Sequence, residues 1–273
     1  MDNYYQVNIK VESQDEADML IARLDLLGFE GFEESENLLR AFIPEGSADE
    51  ATIGVIMQQI GMPYTISLVR QRNWNAEWEA GFQPVVVETF CAIRANFHEP
   101  VPGVKHDIII TPKMSFGTGH HATTYMMVEA MRKIDFTSKS VIDFGTGTGI
   151  LAILAEKLGA TAIEAVDYDD WSVENAKENI LQNACSHIAL YKADSIENLK
   201  QSDILLANIN RNIILQHFSS IAEKVVRGGL IVFSGLLSTD FDDISGVAQN
   251  QFQLTLLTRN DRNNWICLVY GKY

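Results

Sequence analysis

The sequence predicts an α/β protein: a doubly wound, mostly parallel sheet preceded by a small ferredoxin-like α+β domain. Three observations carry this reading. A β-branched and apolar run, Val141-Ile142-Asp143-Phe144, passes through Gly145-Thr146-Gly147-Thr148-Gly149 into apolar residues at helical spacing, Ile150, Ile153, Leu154 and Leu158. A second apolar run ends in Asp167, about twenty residues past the glycine turn, where doubly wound folds place an acid on a ribose. The first seventy residues carry their own complete pattern of strands and helices.

Composition bounds the possibilities. The chain has 273 residues, 47% hydrophobic and 21% charged, as expected of a soluble globular protein. No apolar run approaches the roughly 20 residues that span a bilayer, so no membrane association is expected. The start, Met1-Asp2-Asn3-Tyr4-Tyr5, lacks the regions of a signal peptide. Three isolated cysteines, Cys91, Cys185 and Cys267, indicate neither a disulfide framework nor a zinc knuckle, and the expected compartment is the cytoplasm. A net charge of −15 repels nucleic acid, so no direct nucleic-acid binding is expected, whereas a basic protein partner is compatible.

In the first domain, residues 1–70, Tyr5, Val7, Ile9 and Val11 alternate as a strand. Ser13-x-x-Glu16 opens a helix as a capping box. Met19, Leu20, Leu24 and Leu27 form its apolar face, and Gly28 stops it. Phe29 to Glu34 and Leu38 to Ile43 read as a strand pair. Ser47-x-x-Glu50 opens a second helix with Ile53, Ile56, Met57 and Ile60 at helical spacing, and Gly61 closes it before the strand Tyr64 to Val69. The order β-α-β-β-α-β is the ferredoxin-like split unit. Residues 1–70 hold 13 Asp and Glu against 4 Lys and Arg, which is −9 of the total charge in about a quarter of the chain. This domain is either an acidic docking module for a basic partner or a solvated cap.

Residues 71–95 read as a linker helix and entry strand. Trp74, Trp78 and Phe82 share one helical face, as a strut or, alternatively, an aromatic platform. Residues 96–273 form the second domain. Val85 to Val87, Phe90 to Ile93 and Ile108 to Ile110 read as a small sheet beside the main one. The stretch Phe116-Gly117-Thr118-Gly119-His120-His121-Ala122-Thr123-Thr124 begins as a loop and becomes helix near His120, with Thr124, Met127, Val128 and Met131 on one face. A helix start offers free N–H groups to an anion. Adjacent histidines diverge on a helix and no further ligand cluster lies nearby, so no metal site is expected.

The glycine turn selects the nucleotide. A dinucleotide GxGxxG would need glycine in place of Ile150, and no Walker lysine follows. The acidic Asp143 suits a cofactor with a positive or zwitterionic end. Asp167 ends the strand Ala162 to Val166, and Asp169 or Asp170 caps the helix Trp171 to Leu181. Ile188 to Tyr191 is a third strand, after which Ala193-Asp194-Ser195 could face an adenine edge. The run Ile204 to Asn210 is a fourth strand with Asn208 at its carboxyl end, where open α/β sheets bind ligands. A glycine stop at Gly228-Gly229 precedes a fifth strand, and two further strands around a turn at 259–264 form an antiparallel hairpin.

The run Asp143-x-Gly145-x-Gly147-x-Gly149 with Asp167 and Asn208 resembles the S-adenosylmethionine-dependent methyltransferases of the doubly wound type. Phe116-Gly117-Thr118-Gly119-His120-His121-Ala122-Thr123-Thr124, with Trp74-Asn75-Ala76-Glu77-Trp78, Phe82, Pro84 and the front domain, is similar to the PrmA family, the methyltransferases of ribosomal protein L-eleven. The resemblance implies S-adenosylmethionine as cofactor, contacted by Thr124, Gly145, Gly147, Asp167 and Asn208, with Asp167 on the ribose. It implies a mobile loop at 116–120 and recognition of the basic ribosomal protein by the front domain. The implied chemistry is N-methylation of lysine ε-amino and N-terminal α-amino groups. Such a reaction needs acceptors that orient a neutral amine, which makes the side-chain oxygen of Asn208, or the carbonyls after its strand, a catalytic candidate, with His120 as a second that closes the site and takes a proton. Asn210-Arg211-Asn212 departs from relatives with small residues and proline there, and the absent Asn-Pro-Pro-Tyr argues against amide methylation. The alternatives are a small-molecule amine methyltransferase, a nicotinamide oxidoreductase disfavoured by Ile150, and a non-enzymatic module that binds ribosomal components.

Overall fold

The computed structural model describes residues 3–35, 37–69, 82–113 and 121–273. The linker residues Trp74 and Trp78, and the loop 116–120 with His120, lie outside the described residues. Contacts divide the chain into two units, Met1–Gly81 and Phe82–Tyr273.

In the first unit, β1 (Tyr4–Lys10), α1 (Gln14–Asp25), β2 (Gly31–Ser35), β3 (Leu38–Pro44), α2 (Glu50–Ile60) and β4 (Tyr64–Val69) follow in order. The sheet is antiparallel with order β2-β3-β1-β4. Its core is built from the alternate strand residues Val7, Ile9, Leu39 and Ile43, with Leu20, Leu24, Ile53 and Met57 from the helices. The buried face of α1 is Ala17, Leu20 and Leu24, whereas Met19 and Leu27 are 60% and 45% exposed. The small Ala17 lets the helix sit close to the sheet, turning the expected flank residues outward. The cap of α2 is Asp49, not Ser47: its carboxylate accepts from Thr52 N at 2.8 Å. Gly61, at φ +78°, closes that helix in the left-handed conformation.

The second unit begins with a three-stranded sheet, β5 (Val85–Val87), β6 (Cys91–Ala95) and β7 (His106–Ile110). Val87, Cys91 and Ile93, which the sequence groups with the linker, pack in this unit's core. Then come α3 (Ala122–Met131), β8 (Ser140–Phe144), α4 (Ile150–Lys157), β9 (Ala162–Asp167), α5 (Asp170–Gln182), β10 (Ile188–Lys192) and β11 (Ser202–Asn208). The chain ends with α6 (Arg211–Gln216), α7 (Phe218–Lys224), β12 (Val225–Leu237), α8 (Phe241–Asn250), β13 (Thr255–Arg262) and β14 (Trp265–Gly271).

The seven-stranded sheet runs β10-β9-β8-β11-β12-β14-β13. Its first five strands are parallel and its last two pairings antiparallel. Alternate residues feed two cores. Val141, Ile204, Leu206 and Val232 face α3 and α4, while Ile142, Leu205, Ile231 and Phe233 face α7 and α8. Burial on both faces explains why these strands read as continuous apolar runs. The terminal hairpin is antiparallel as expected, but β13 extends to Arg262 and the turn narrows to Asn263 and Asn264, both at positive φ. Asparagine tolerates that conformation, so the strand need not end earlier. Between β8 and β11 the strand order reverses, which opens a crevice at their carboxyl ends.

Candidate active site

The glycine turn is held from below. Asp143 Oδ2 accepts from the Thr146 hydroxyl at 2.6 Å and from Ala152 N, in the first turn of α4, at 3.2 Å. Burial pushes this carboxyl up to about 7, and its Oδ1 has no partner among the described residues. The acid therefore braces the turn and is not part of the cavity wall, contrary to the expectation that it faces the cofactor's positive end. Gly145, at φ +76°, is needed sterically: a Cβ there would overlap Ile209 Cγ2.

Above the turn lies a cavity of about 680 Å³ at the carboxyl ends of β8, β9 and β11. Thr124, Gly145, Gly147, Asp167 and Asn208 all line it, as do Ala193, Asp194 and Ser195. Asp167 ends β9 and is almost buried. Its Oδ2 accepts from Gly147 N at 2.8 Å and its Oδ1 from Asp169 N at 3.1 Å, which fixes the carboxylate at the rim. Asp169 caps α5 through Ser172 N at 2.9 Å. Asn208 ends β11. Its Nδ2 donates to Thr124 Oγ1 at 3.3 Å, across 84 residues of sequence, and its buried Oδ1 has no partner among the described residues. A buried acceptor left in this state is costly unless a ligand donor meets it.

Several lining residues escaped the sequence reading. His121, beside the nominated His120, caps α3 by accepting from Thr123 N, and its ring meets Trp265 edge-on at 4.6 Å. Trp265 opens β14, and His217 stands edge-on to Phe144 at 5.4 Å. These side chains come from elements remote in sequence, and no local spacing announces them. Arg211, in the departing Asn210-Arg211-Asn212 segment, is absent from the lining set. Its Nε donates to Asp243 Oδ2 at 2.9 Å, while Asn210 caps α6 through Ile213 N.

A second missed feature does carry a signal. Asn175 and Asn179 on α5, and Asn183 at its C-cap, recur every four residues. Asn183 and Asn179 accept from Ile109 N and Thr111 N, and Asn175 and Asn183 donate to Thr111 O and Ile109 O. Asn179 also donates to Thr148 O at 2.8 Å, tying the glycine turn to the small sheet. Among the described residues no group of three His, Cys, Asp or Glu could hold a metal, and no helix is long and apolar enough to cross a membrane.

Comparison with known proteins places this geometry. The sequence model of the family described as ribosomal protein L11 methyltransferase (PrmA) matches residues 7–273. Proteins named ribosomal protein L11 methyltransferase from Porphyromonas gingivalis and Chlorobaculum tepidum are each 38% identical. The first alignment covers 93% of this chain and 90% of that protein, the second 87% and 86%. The crystal structure of a ribosomal protein L11 methylase from Lactobacillus delbrueckii subsp. bulgaricus superposes with a TM-score of 0.65 at 27% identity, covering 70% of this chain and 99% of that one. With a methyltransferase-like sheet, a cavity at its switch point and a family match over nearly the whole length, the chain belongs to the ribosomal protein L11 methyltransferase (PrmA) family.

Proposed function

We propose that this enzyme uses S-adenosylmethionine to methylate lysine ε-amino and N-terminal α-amino groups of ribosomal protein L11, in the cytoplasm. The observation that carries the reading is Asn208: its nitrogen is engaged by Thr124, and its buried oxygen faces no donor among the described residues. When bound, S-adenosylmethionine supplies a methyl group activated on a sulfonium sulfur. Asp167 would accept from the ribose hydroxyls, Gly145 and Gly147 would present bare backbone to the ligand, and Asp194 and Ser195 would meet the adenine edge. Thr124 and Asn208 would complete the pocket wall.

The attacking amine must be neutral, yet a lysine has a pKa of about 10.4 and an α-amine about 7.7–8.0. An apolar, desolvating pocket disfavours the ammonium form. Asn208 Oδ1 would accept one N–H of the neutral amine and so aim its lone pair. His120 would take the proton as the loop at 116–120 covers the site, and unchanged turnover in His120→Ala would remove that role. We assign the first unit to the ferredoxin-like class, supported by its strand order, and to docking of a basic substrate protein, supported by the charge of −9 on residues 1–70. The net charge of −15 supports recognition of protein and not of nucleic acid.

The test is mass spectrometry of L11 after incubation with the enzyme and S-adenosylmethionine. Mass gains of whole methyl groups on lysine and the amino terminus are expected. Labelling at glutamine, or equal turnover of small free amines, would overturn the substrate assignment. Absence of saturable S-adenosylmethionine binding by calorimetry would leave only a binding module.

A further inference from the structure

The strand β12 contains an irregularity that the reaction as described does not use. Against β14, Phe233 pairs with Leu268 and Leu236 with Ile266, so three steps on β12 answer two on β14. The extra residue makes a bulge at Ser234-Gly235. Gly235 has φ +80°, Ser234 Oγ donates to Ile266 O at 2.8 Å, and Gly235 lines the cavity. Bulges beside binding sites re-aim the chain that packs on them. Here that chain is the exit of β11. A Cβ on Gly235 would overlap Ile209 O and lie 2.7 Å from its carbonyl carbon and 2.9 Å from its nitrogen. The peptide of Ile209 thus lies directly on a surface that only glycine leaves open.

Ile209 is held from its other side as well. Its Cγ2 occupies the space that a Cβ on Gly145 would need. One residue is thereby braced by two glycines, its backbone on β12 and its side chain on the glycine turn. On one side of it stands Asn208, paired in register with Ser234, and on the other Asn210, which caps α6.

We propose that Gly235 is a positioning residue for methyl transfer. By admitting the Ile209 peptide against β12, it fixes where β11 ends and hence where Asn208 Oδ1 meets the substrate amine. The inference rests on the reading that Asn208 orients the amine. Gly235 itself touches neither proton nor methyl group; it acts through Ile209 and Asn208.

A matched pair of variants separates contact from strain. Gly228 lies in the same strand at the same φ of +80°, with nothing within 4 Å of its would-be Cβ. Gly228→Ala and Gly235→Ala therefore impose the same backbone strain, but only the second meets Ile209. Gly235→Ala is expected to lower kcat about 100-fold, the scale of an ångström-sized misplacement. Its calorimetric affinity for S-adenosylmethionine should fall far less than kcat, since Asp167, held by Gly147 N and Asp169 N, is not among the atoms that a Cβ on Gly235 would meet. The side-chain amide resonances of Asn208 should shift in Gly235→Ala and stay in place in Gly228→Ala, which keeps wild-type kcat.

Equal kcat in the two variants, or an unshifted Asn208 resonance in Gly235→Ala, would overturn the proposal. If Gly235→Ala does not fold, Ile209→Ala removes the opposite brace. A fall in kcat of about tenfold with the Asn208 resonance shifted is then expected, and full kcat overturns the proposal. Failure of the underlying reading has a different signature: Asn208→Ala would keep its turnover on L11 whatever Gly235→Ala does.

Discussion

Asp143 shows how a residue that looks like a ligand contact can be structural. It sits two residues before Gly145, where the glycine turn begins, and its carboxylate serves Thr146 and Ala152. Burial is the main cause that lifts its pKa from an ordinary carboxylate value to about 7, and the nearby Asp167 charge adds to it. Between the unfolded value near 4 and the folded value, the native protein keeps a proton that the unfolded chain has released. Stability from this group is therefore present at low pH and declines as pH rises toward 7, by at most about 1.4 kcal/mol per pH unit. Asp143→Asn cannot ionise and lacks that decline. Denaturant melts from roughly pH 4.5 to 8.5 should show the variant gaining on wild type up to about pH 7 and tracking it above. A constant difference across the range would mean that Asp143 is ionised in the folded protein throughout.

At the scale of elements, α5 acts as a surrogate strand. The outer edge of β7 is satisfied by asparagine side chains, and the same helix holds the glycine turn through Asn179. Asn179→Ala removes the bond to Thr148 O and strands the Thr111 N–H. A cost of about 2 kcal/mol is expected, lowering Tm by roughly 4–8 °C in a unit of this size. Cofactor affinity should weaken with it, because the turn loses a tether. Lys177→Ala on the exposed face of α5 is the control, and equal melting of the two variants would deny the asparagines this role. The elements themselves were legible because each carries its period and its stop locally. Gly61 and the glycines of the turn mark their positions by backbone chemistry alone. Partners were not legible. Nothing in the pattern says that β14 inserts between β12 and β13, or that Ala17 and not Met19 faces the sheet. The same limit split the site. Asp167 and Asn208 end apolar runs and could be read from them, whereas His121, Trp265 and His217 converge only through the sheet order. The asparagine repeat was visible but reads as a polar helix face until β7 is placed beside it.

For the whole molecule, charge is the property that sequence fixes and folding distributes. Residues 1–70 carry −9, and their acids are on the outside: Asp15, Asp18 and Asp25 on α1, Glu33 and Glu34 on β2. Such a surface has two physical uses. Solvation alone needs no partner and is indifferent to the substrate's charge. Docking of a basic protein gains attraction over a screening length of about 8 Å at physiological salt, which shrinks to about 3 Å at 1 M. The two uses therefore separate in a salt titration of L11 methylation. If the acids dock the substrate, raising salt from roughly 0.05 to 0.5 M should raise KM for L11 about tenfold or more. Turnover at saturation should hold, since the buried cavity is screened little. Calorimetric affinity for S-adenosylmethionine, measured in the same buffers, should barely move. Neutralising Asp18→Asn and Asp25→Asn together should flatten the salt slope and raise KM at low salt, leaving kcat unchanged. A KM indifferent to salt in the wild type would leave the acidic surface with solvation as its only role, and the specificity for L11 would then have to reside in the cavity and its rim.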